Sequence, residues 1–421
     1  MAIKVNGTTV INDSRALSNI ASVDATTAAA IGAAGVGGGG SIELTATGSI
    51  TAGDPIGVNS SGNAEKAASI VGPSTTLTTA AHADYTYLSD ASCSVSSSKT
   101  VFFYSKSNNT YVARCGVIQA NGSYSFGSET QIDSVRANSG HAAVCPDTGV
   151  ICVFYKRDDG SSFETVAKAV TVTGTNTVNV GSSISHGAGN KNSHCVRPMG
   201  NSKFGLFNDS HASIVTTSGT SITKNSTVSG DDDIRAVAWN PDSSHFVLSY
   251  GGYGANWRRY PVSGTSISKG AGRYISTGGW DRLLGWYDTS SNYFVRVVQD
   301  GGGFKIEAWN VSSSDINNWG VAGTLVLPGS GNDMWSNSWN LNQGVWNETA
   351  GVGFAHYKKG VAWMIDQVLV SSGGTPSILG TTPVNQQVGL GSGNGIISTM
   401  DQNTISVSNT VFASYLNFGT A

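Results

Sequence analysis

The sequence predicts an all-β protein built around a β-propeller, and three observations carry that expectation. Charged residues make up only 12% of the 421 residues, about half the usual share, while Gly, Ser, Thr and Asn abound. Apolar residues come in short Val, Ile, Phe, Tyr and Trp runs punctuated by Gly and Asn, which is the pattern of many short strands. A strand–turn–strand unit then recurs along most of the chain.

Residues 1–40 read as an arm. A β-like piece from Ile3 to Ile11 leads into an Ala-rich stretch, where Asp24 can cap a short helix through Ala25–Ala34. The Gly-rich run at 35–40 follows as a hinge with little side chain to pack. Such an arm buries too little surface to fold alone and gains order against a partner. Its candidate contact residues are Val5, Val10, Ile11, Arg15, Leu17 and Ile20. Residues 41–67 read as a small β module, with turn signals at Thr51–Pro55 and Asn59–Gly62.

Residues 68–421 carry the repeat. Its clearest copies begin at His141, Arg235 and Arg282, and their turns are Pro146–Gly149, Asn240–Ser244 and Asp288–Asn292. These turns supply fixed φ or side-chain-to-backbone hydrogen bonds. Weaker copies begin at Ser92, His194, Trp339 and Gly395. The spacing of roughly 50 residues suits four-stranded blades. Seven blades are favoured. The last copy has room for about three strands, so its fourth is expected from Ala68–Thr79, a closure that hides exposed edges. Six blades, with the chain after residue 365 folding back on the β module, satisfy the spacing as well.

The net charge is −3, with no basic stripe, which argues against nucleic acid as a partner. No stretch has the apolar length of a membrane span and the N-terminus lacks the plan of a secretory signal, so a soluble chain with no membrane insertion is expected. Cys93, Cys115, Cys145, Cys152 and Cys195 form no CxxC pair and read as buried, reduced thiols. Asp231–Asp233 is too short to supply the six to eight oxygens that Ca²⁺ needs. No metal and no cofactor is expected.

The opening VNGTTVINDSRALSNIASVDATTAAAI resembles N-terminal modules of tail-fibre and other virion structural proteins of tailed bacteriophages, marine and cyanobacterial ones in particular. The residues that carry the resemblance are Gly7–Ile11, Asp13–Arg15 and Asn19–Ile20. The piece ITAGDPIGVNSSGNA is similar to a small β module of phage structural proteins. The resemblance covers about the first 35 residues and implies a fibre or appendage fixed to other virion proteins by the arm, made in the bacterial host cytoplasm and located in the virion.

The ligand surface of a propeller is expected in the loops that run from one blade's outer strand to the next blade's inner strand. Those loops hold Arg136 and His141, Asn192 and His194, Arg235, and three Gly-then-Asp segments, SGDDD, TGGWD and GSGND. Trp280 and Trp335 offer flat faces for a sugar ring, and Asp232, Asp233, Asp281, Arg282 and Asp333 can bond its hydroxyls. The plainer account of these segments is that Asp makes an Asx-turn to order the chain before the strand. All ten tryptophans lie between Trp239 and Trp363, and most are expected in the wedges between blades.

These features favour a non-enzymatic virion appendage presenting its propeller to a host-surface glycan. A purely architectural particle component, such as a head decoration, collar or adaptor, is the alternative. A homo-oligomer is expected, with a trimer as one option, although no heptads appear. A sialidase-like propeller is the third reading. Lys156–Phe163 resembles a degenerate Asp-box, and Arg136, Arg235 and Arg282 could imitate a carboxylate-binding triad. No Tyr–Glu pair is evident, and no catalytic motif is found.

Overall fold

The computed structural model describes residues 3–5, 8–11, 46–47, 56–58, 64–66, 74–82, 92–96, 98–119, 123–158, 164–188, 194–231, 234–250, 255–275, 284–289, 291–300, 303–327, 344–347, 352–359, 362–384, 389–390, 396–401 and 404–409. The chain divides into two compact units, Met1–Ala67 with Tyr415–Ala421, and Ala68–Ser414. In the first, β1 (Ile3–Val5) and β2 (Thr8–Ile11) form an antiparallel hairpin. Strands β3 (Ala46–Thr47), β4 (Ile56–Val58) and β5 (Ala64–Lys66) form a second sheet with β5 in the middle. The expected helix lies outside the described residues.

The second unit is a β-propeller. After β6 (Thr75–Thr78), the first sheet comprises β7 (Ser92–Ser96), β8 (Lys99–Ser105), β9 (Tyr111–Ile118), β10 (Tyr124–Phe126) and β11 (Thr130–Asp133). The second comprises β12 (Arg136–Val144), β13 (Ile151–Asp158), β14 (Glu164–Thr173), β15 (Thr177–Val180) and β16 (Ile184–Ala188). The third is β17 (His194–Gly200), β18 (Lys203–Asn208), β19 (His211–Ser218) and β20 (Ser221–Ser229). The fourth is β21 (Ile234–Asn240), β22 (His245–Tyr250), β23 (Ala255–Ser263), β24 (Ser266–Ile267) and β25 (Gly272–Ile275). The fifth is β26 (Leu284–Asp288), β27 (Tyr293–Asp300), β28 (Gly303–Asn310) and β29 (Gly320–Leu327). The sixth is β30 (Gly344–Asn347), β31 (Val352–Lys359), β32 (Ala362–Val370) and β33 (Pro376–Val384). A last sheet takes β34 (Gly389–Leu390), β35 (Ile396–Asp401) and β36 (Thr404–Asn409) from the C-terminal end and β6 from the N-terminal end.

The last sheet therefore contains three late strands and one early one, with Ser406 paired to Thr76 and Val407 to Thr75. Only the register within it differs from expectation. The copy beginning at Gly395 supplies the second and third strands, and the two-residue β34 is innermost, too short to be seen as a hydrophobic pattern.

Apolar side chains collect between sheets rather than within one. Val101, Phe103 and Tyr111 of the first meet Ile151, Val153 and Tyr155 of the second, and Cys152 and Phe154 on the opposite face meet Val196, Phe204 and Leu206 of the third. Alternation along β13 thus serves two interfaces. Trp257, Phe294, Trp309 and Trp319 fill the wedge between the fourth and fifth sheets, and Trp286 packs between the fifth and sixth. All five cysteines are buried free thiols.

Turn chemistry follows the sequence closely. Asn240 Oδ1 accepts from Ser243 N at 3.2 Å, and Asp288 Oδ1 from Ser291 N at 3.1 Å. Neighbouring sheets are also clasped through turns. Lys99 and Lys203, each first in its sheet's second strand, donate to Gly174 O at 2.8 Å and Gly264 O at 3.1 Å in the following sheet. Gly181 lies so close to Thr220 O of the next sheet that a Cβ there would overlap the carbonyl, which requires glycine. Among the described residues no helix is long and apolar enough to cross a membrane.

Candidate functional site

Each inner strand runs antiparallel to its second strand, so the start of the first meets the end of the second. At this end of the second sheet Arg136 opens β12 and Asp158 closes β13. Arg136 Nη2 sits 3.0 Å and Nε 3.2 Å from Asp158 Oδ2, a two-point ion pair. Arg136 Nη1 is 3.0 Å from His82 Nε2. A guanidinium can only donate, so a hydrogen bond here uses this imidazole nitrogen as the acceptor. Lys156, also on β13, is buried. Burial pushes its ammonium below the ordinary value, while the charges of Asp209 and Asp158 oppose that shift.

A second group lies deeper along the inner strands. His141 of β12 is buried, and its Nε2 is 3.0 Å from Arg197 Nη1 on β17. Arg197 Nε donates to Val237 O of β21 at 2.6 Å, and Nη1 also to Val196 O at 3.2 Å. One guanidinium therefore ties together the inner strands of three successive sheets.

Three clusters of charged groups repeat one device, a carboxylate gripped by a tyrosine and a cation two residues apart along the chain. Asp133 Oδ2 accepts from Tyr155 Oη at 2.7 Å and from Arg157 Nε at 2.8 Å. Glu129 accepts from Tyr104 Oη at 2.6 Å and from Lys106 Nζ at 2.6 Å. Tyr260 Oη donates to Asp231 Oδ2 at 2.6 Å, and Arg258 Nε lies 2.7 Å from the same oxygen as an ion pair. Lys269 Nζ is 2.9 Å from Asp231 Oδ1. The order Tyr-x-cation reverses at Arg258–Tyr260 because β23 is a third strand and runs opposite to β8 and β13.

Burial opposes ionisation of Asp133, but the bonds from Tyr155 and Arg157 and the charges of Arg157 and Lys168 outweigh it and hold the carboxyl below the usual range. Glu129 is likewise held low against burial, by Lys106 and Tyr104. Burial, then the neighbouring carboxylate, pushes Tyr155, Tyr104 and Tyr260 well above the ordinary phenol value. These tyrosines are donors and poor nucleophiles.

Of the residues expected to bind sugar, Asp232, Asp233, Trp280, Asp281, Arg282, Asp333 and Trp335 all lie outside the described residues. Asp231, beside them, is described: at the crossover from β20 to β21 its carboxylate holds the side chains of Tyr260, Arg258 and Lys269. Arg136, His141 and Arg235 fall on inner strands rather than in loops. Arg136 is committed to Asp158, so it is not a spare member of an arginine triad. The Tyr–Glu pair not found in the sequence exists as Tyr104–Glu129, yet Lys106 pairs with the same carboxylate. Of the arm residues, Val5, Val10 and Ile11 lie on the β1–β2 hairpin, and Arg15, Leu17 and Ile20 lie outside the described residues. Sequence reasoning missed Arg197. The signal available was a lone arginine in an otherwise apolar strand, HCVRPMG.

No protein-family model matches the chain, and no curated protein resembles it in sequence. Solved structures do resemble it. A protein from Lactobacillus plantarum is similar over 69% of this chain and 84% of its own, with a TM-score of 0.50 and 7% identity. The putative 6-phosphogluconolactonases of Bacteroides uniformis and Bacteroides fragilis match 70% of this chain and 86% and 85% of theirs, with TM-scores of 0.49 and 0.46 and identities of 10% and 9%. At these identities the likeness is one of fold. The expectation of a virion appendage is corrected here: the Lactobacillus plantarum structure that this chain resembles is a bacterial protein and gives that expectation no support. A repeat-built β domain is as much at home in a bacterial propeller as in a virion, because fold does not carry function.

Proposed function

We propose that this chain is a binding protein rather than a catalyst, a propeller whose ionisable groups hold the blades rigid so that a ligand meets a preformed surface. The observation that supports this reading is the threefold clamp of tyrosine, carboxylate and cation. A carboxylate held ionised by two donors is a poor general acid, and a phenol donating to it is a poor nucleophile. The bonds to Asp133 join two successive sheets, those to Asp231 tie a crossover to the fourth sheet and those to Glu129 brace the first, so the chemistry of these groups is spent on holding the sheets.

Assays of the full chain on a sialoside, aryl glycosides, an aryl ester and 6-phosphogluconolactone are expected to show no turnover above buffer. Turnover of any of them, lost in Tyr104→Phe or Asp133→Asn while the melting curve is kept, would overturn the reading.

A further inference from the structure

We infer that the channel wall of this propeller carries an oxyanion subsite at Arg197, which takes the carboxylate or phosphate group of a small ligand. The inference rests on the reading of the chain as a binding propeller and names the chemistry of its ligand.

Position comes first. Strand β17 pairs with β18 and β21 with β22, and among the described residues the opposite edge of each has no strand partner. Backbone groups along that edge need another source of hydrogen bonds. Pro198, which has no N–H, sits on β17 where an edge tolerates it. Arg197 meets the need, since its bonds to Val196 O and Val237 O cap the edges of two successive inner strands, and His141 reaches it from a third. The guanidinium therefore lies on the channel side of the inner strands.

Its unused valence comes next. A guanidinium has five N–H donors in a planar fork. Nε is spent on Val237 O, and Nη1 on His141 Nε2 and Val196 O. The two hydrogens of Nη2 have no acceptor among the described residues, and the side chain is partly exposed. They project from a side chain whose other bonds fix its orientation.

Charge decides the ligand class. Arg136, Arg157, Arg258 and Arg296 each lie within 3.0 Å of a carboxylate. Among the described residues Arg197 meets no carboxylate; its bonds go to two carbonyls and the His141 imidazole. A half-buried cation with no counter-charge among the described residues attracts an anion, and a guanidinium suits the oxygens of a carboxylate or phosphate. A neutral sugar gains no such term.

Calorimetry of the full chain tests this with inorganic phosphate, glucuronate and glucose as probes, on wild type, Arg197→Gln and Arg197→Lys. Saturable binding of phosphate or glucuronate is expected, weakened at least tenfold in R197Q and less in R197K, with glucose affinity unchanged by either substitution. Preference for one anion identifies the group as phosphate or carboxylate. Equal anion affinity in wild type and R197Q, or no saturable anion binding by wild type, overturns the subsite. Should R197Q fail to fold, phenylglyoxal labelling of Arg197 in wild type serves instead. Slowing by saturating anion supports the subsite, and an unchanged rate overturns it. Failure here without turnover in the assays above sinks the subsite alone, whereas turnover sinks the binding reading and leaves the affinity ratio to judge Arg197.

Discussion

Replacing Asp231 with alanine lowers the unfolding free energy by about 3–5 kcal/mol, the range for removing one partner of a buried ion pair. Asp231 is buried and receives Tyr260 Oη at 2.6 Å, Arg258 at 2.7 Å and Lys269 at 2.9 Å. Truncation leaves two cations and a buried hydroxyl facing one another without their common acceptor. The loss is large because these groups come from the crossover and from the fourth sheet, so no local rearrangement can re-pair them. Urea unfolding of D231A against wild type measures it. Asp231→Asn, which keeps an acceptor oxygen and discards the charge, should fall between the two. A loss below about 1 kcal/mol for D231A would place the pair among weak surface bridges and remove the clamp from the account.

Truncating Trp257 to alanine has an effect of similar size, about 3–5 kcal/mol, by leaving a cavity in a wedge that cannot collapse. The indole is fully buried. Its centroid lies 5.0 Å from Phe294, 4.8 Å from Trp309 and 6.1 Å from Trp319. Arg296, held by Glu307, stands 5.1 Å from its face and 4.9 Å from that of Trp309. Among the described residues the indole Nε1 has no hydrogen-bond partner, so packing and the cation's contact with the ring account for the contribution. Trp257→Phe should accordingly retain more than half of the lost stability in the same unfolding measurement. Equal losses in the two variants would point to the N–H instead.

What the sequence made legible was local. Asn240 and Asp288 order turns through bonds to residues three positions on, and that relation can be read from a short window. The fourth strand of the last sheet could be placed by counting, because a three-stranded remainder leaves an edge to cover. The tryptophans could be assigned to wedges because little else offers such surface a place. Groups that act across the ring could not be seen this way. Arg197 meets His141 across 56 positions and Val237 across 40, and no periodicity relates them. Tyr104 and Glu129 are only 25 apart, yet Glu129 sits in the link between β10 and β11, whose placement beside β8 no pattern fixes. The virion expectation rested on the arm, which lies almost wholly outside the described residues, and the propeller added nothing specific to it.

The closed ring underlies each of these arguments, since the inner strands line a channel only if the last sheet joins the first part of the chain to the end. Thr76 and Ser406 are direct partners in that junction, and paired strand positions bring Cα atoms within the separation a disulfide spans. The native cysteines are buried and free, so they offer little competition. Under mild oxidation the double variant Thr76→Cys, Ser406→Cys should form one intramolecular crosslink between positions 76 and 406, mapped by mass spectrometry of peptides, and should unfold at higher urea than its reduced form. Free thiols at both positions in protein that keeps its wild-type far-ultraviolet circular dichroism would contradict the ring.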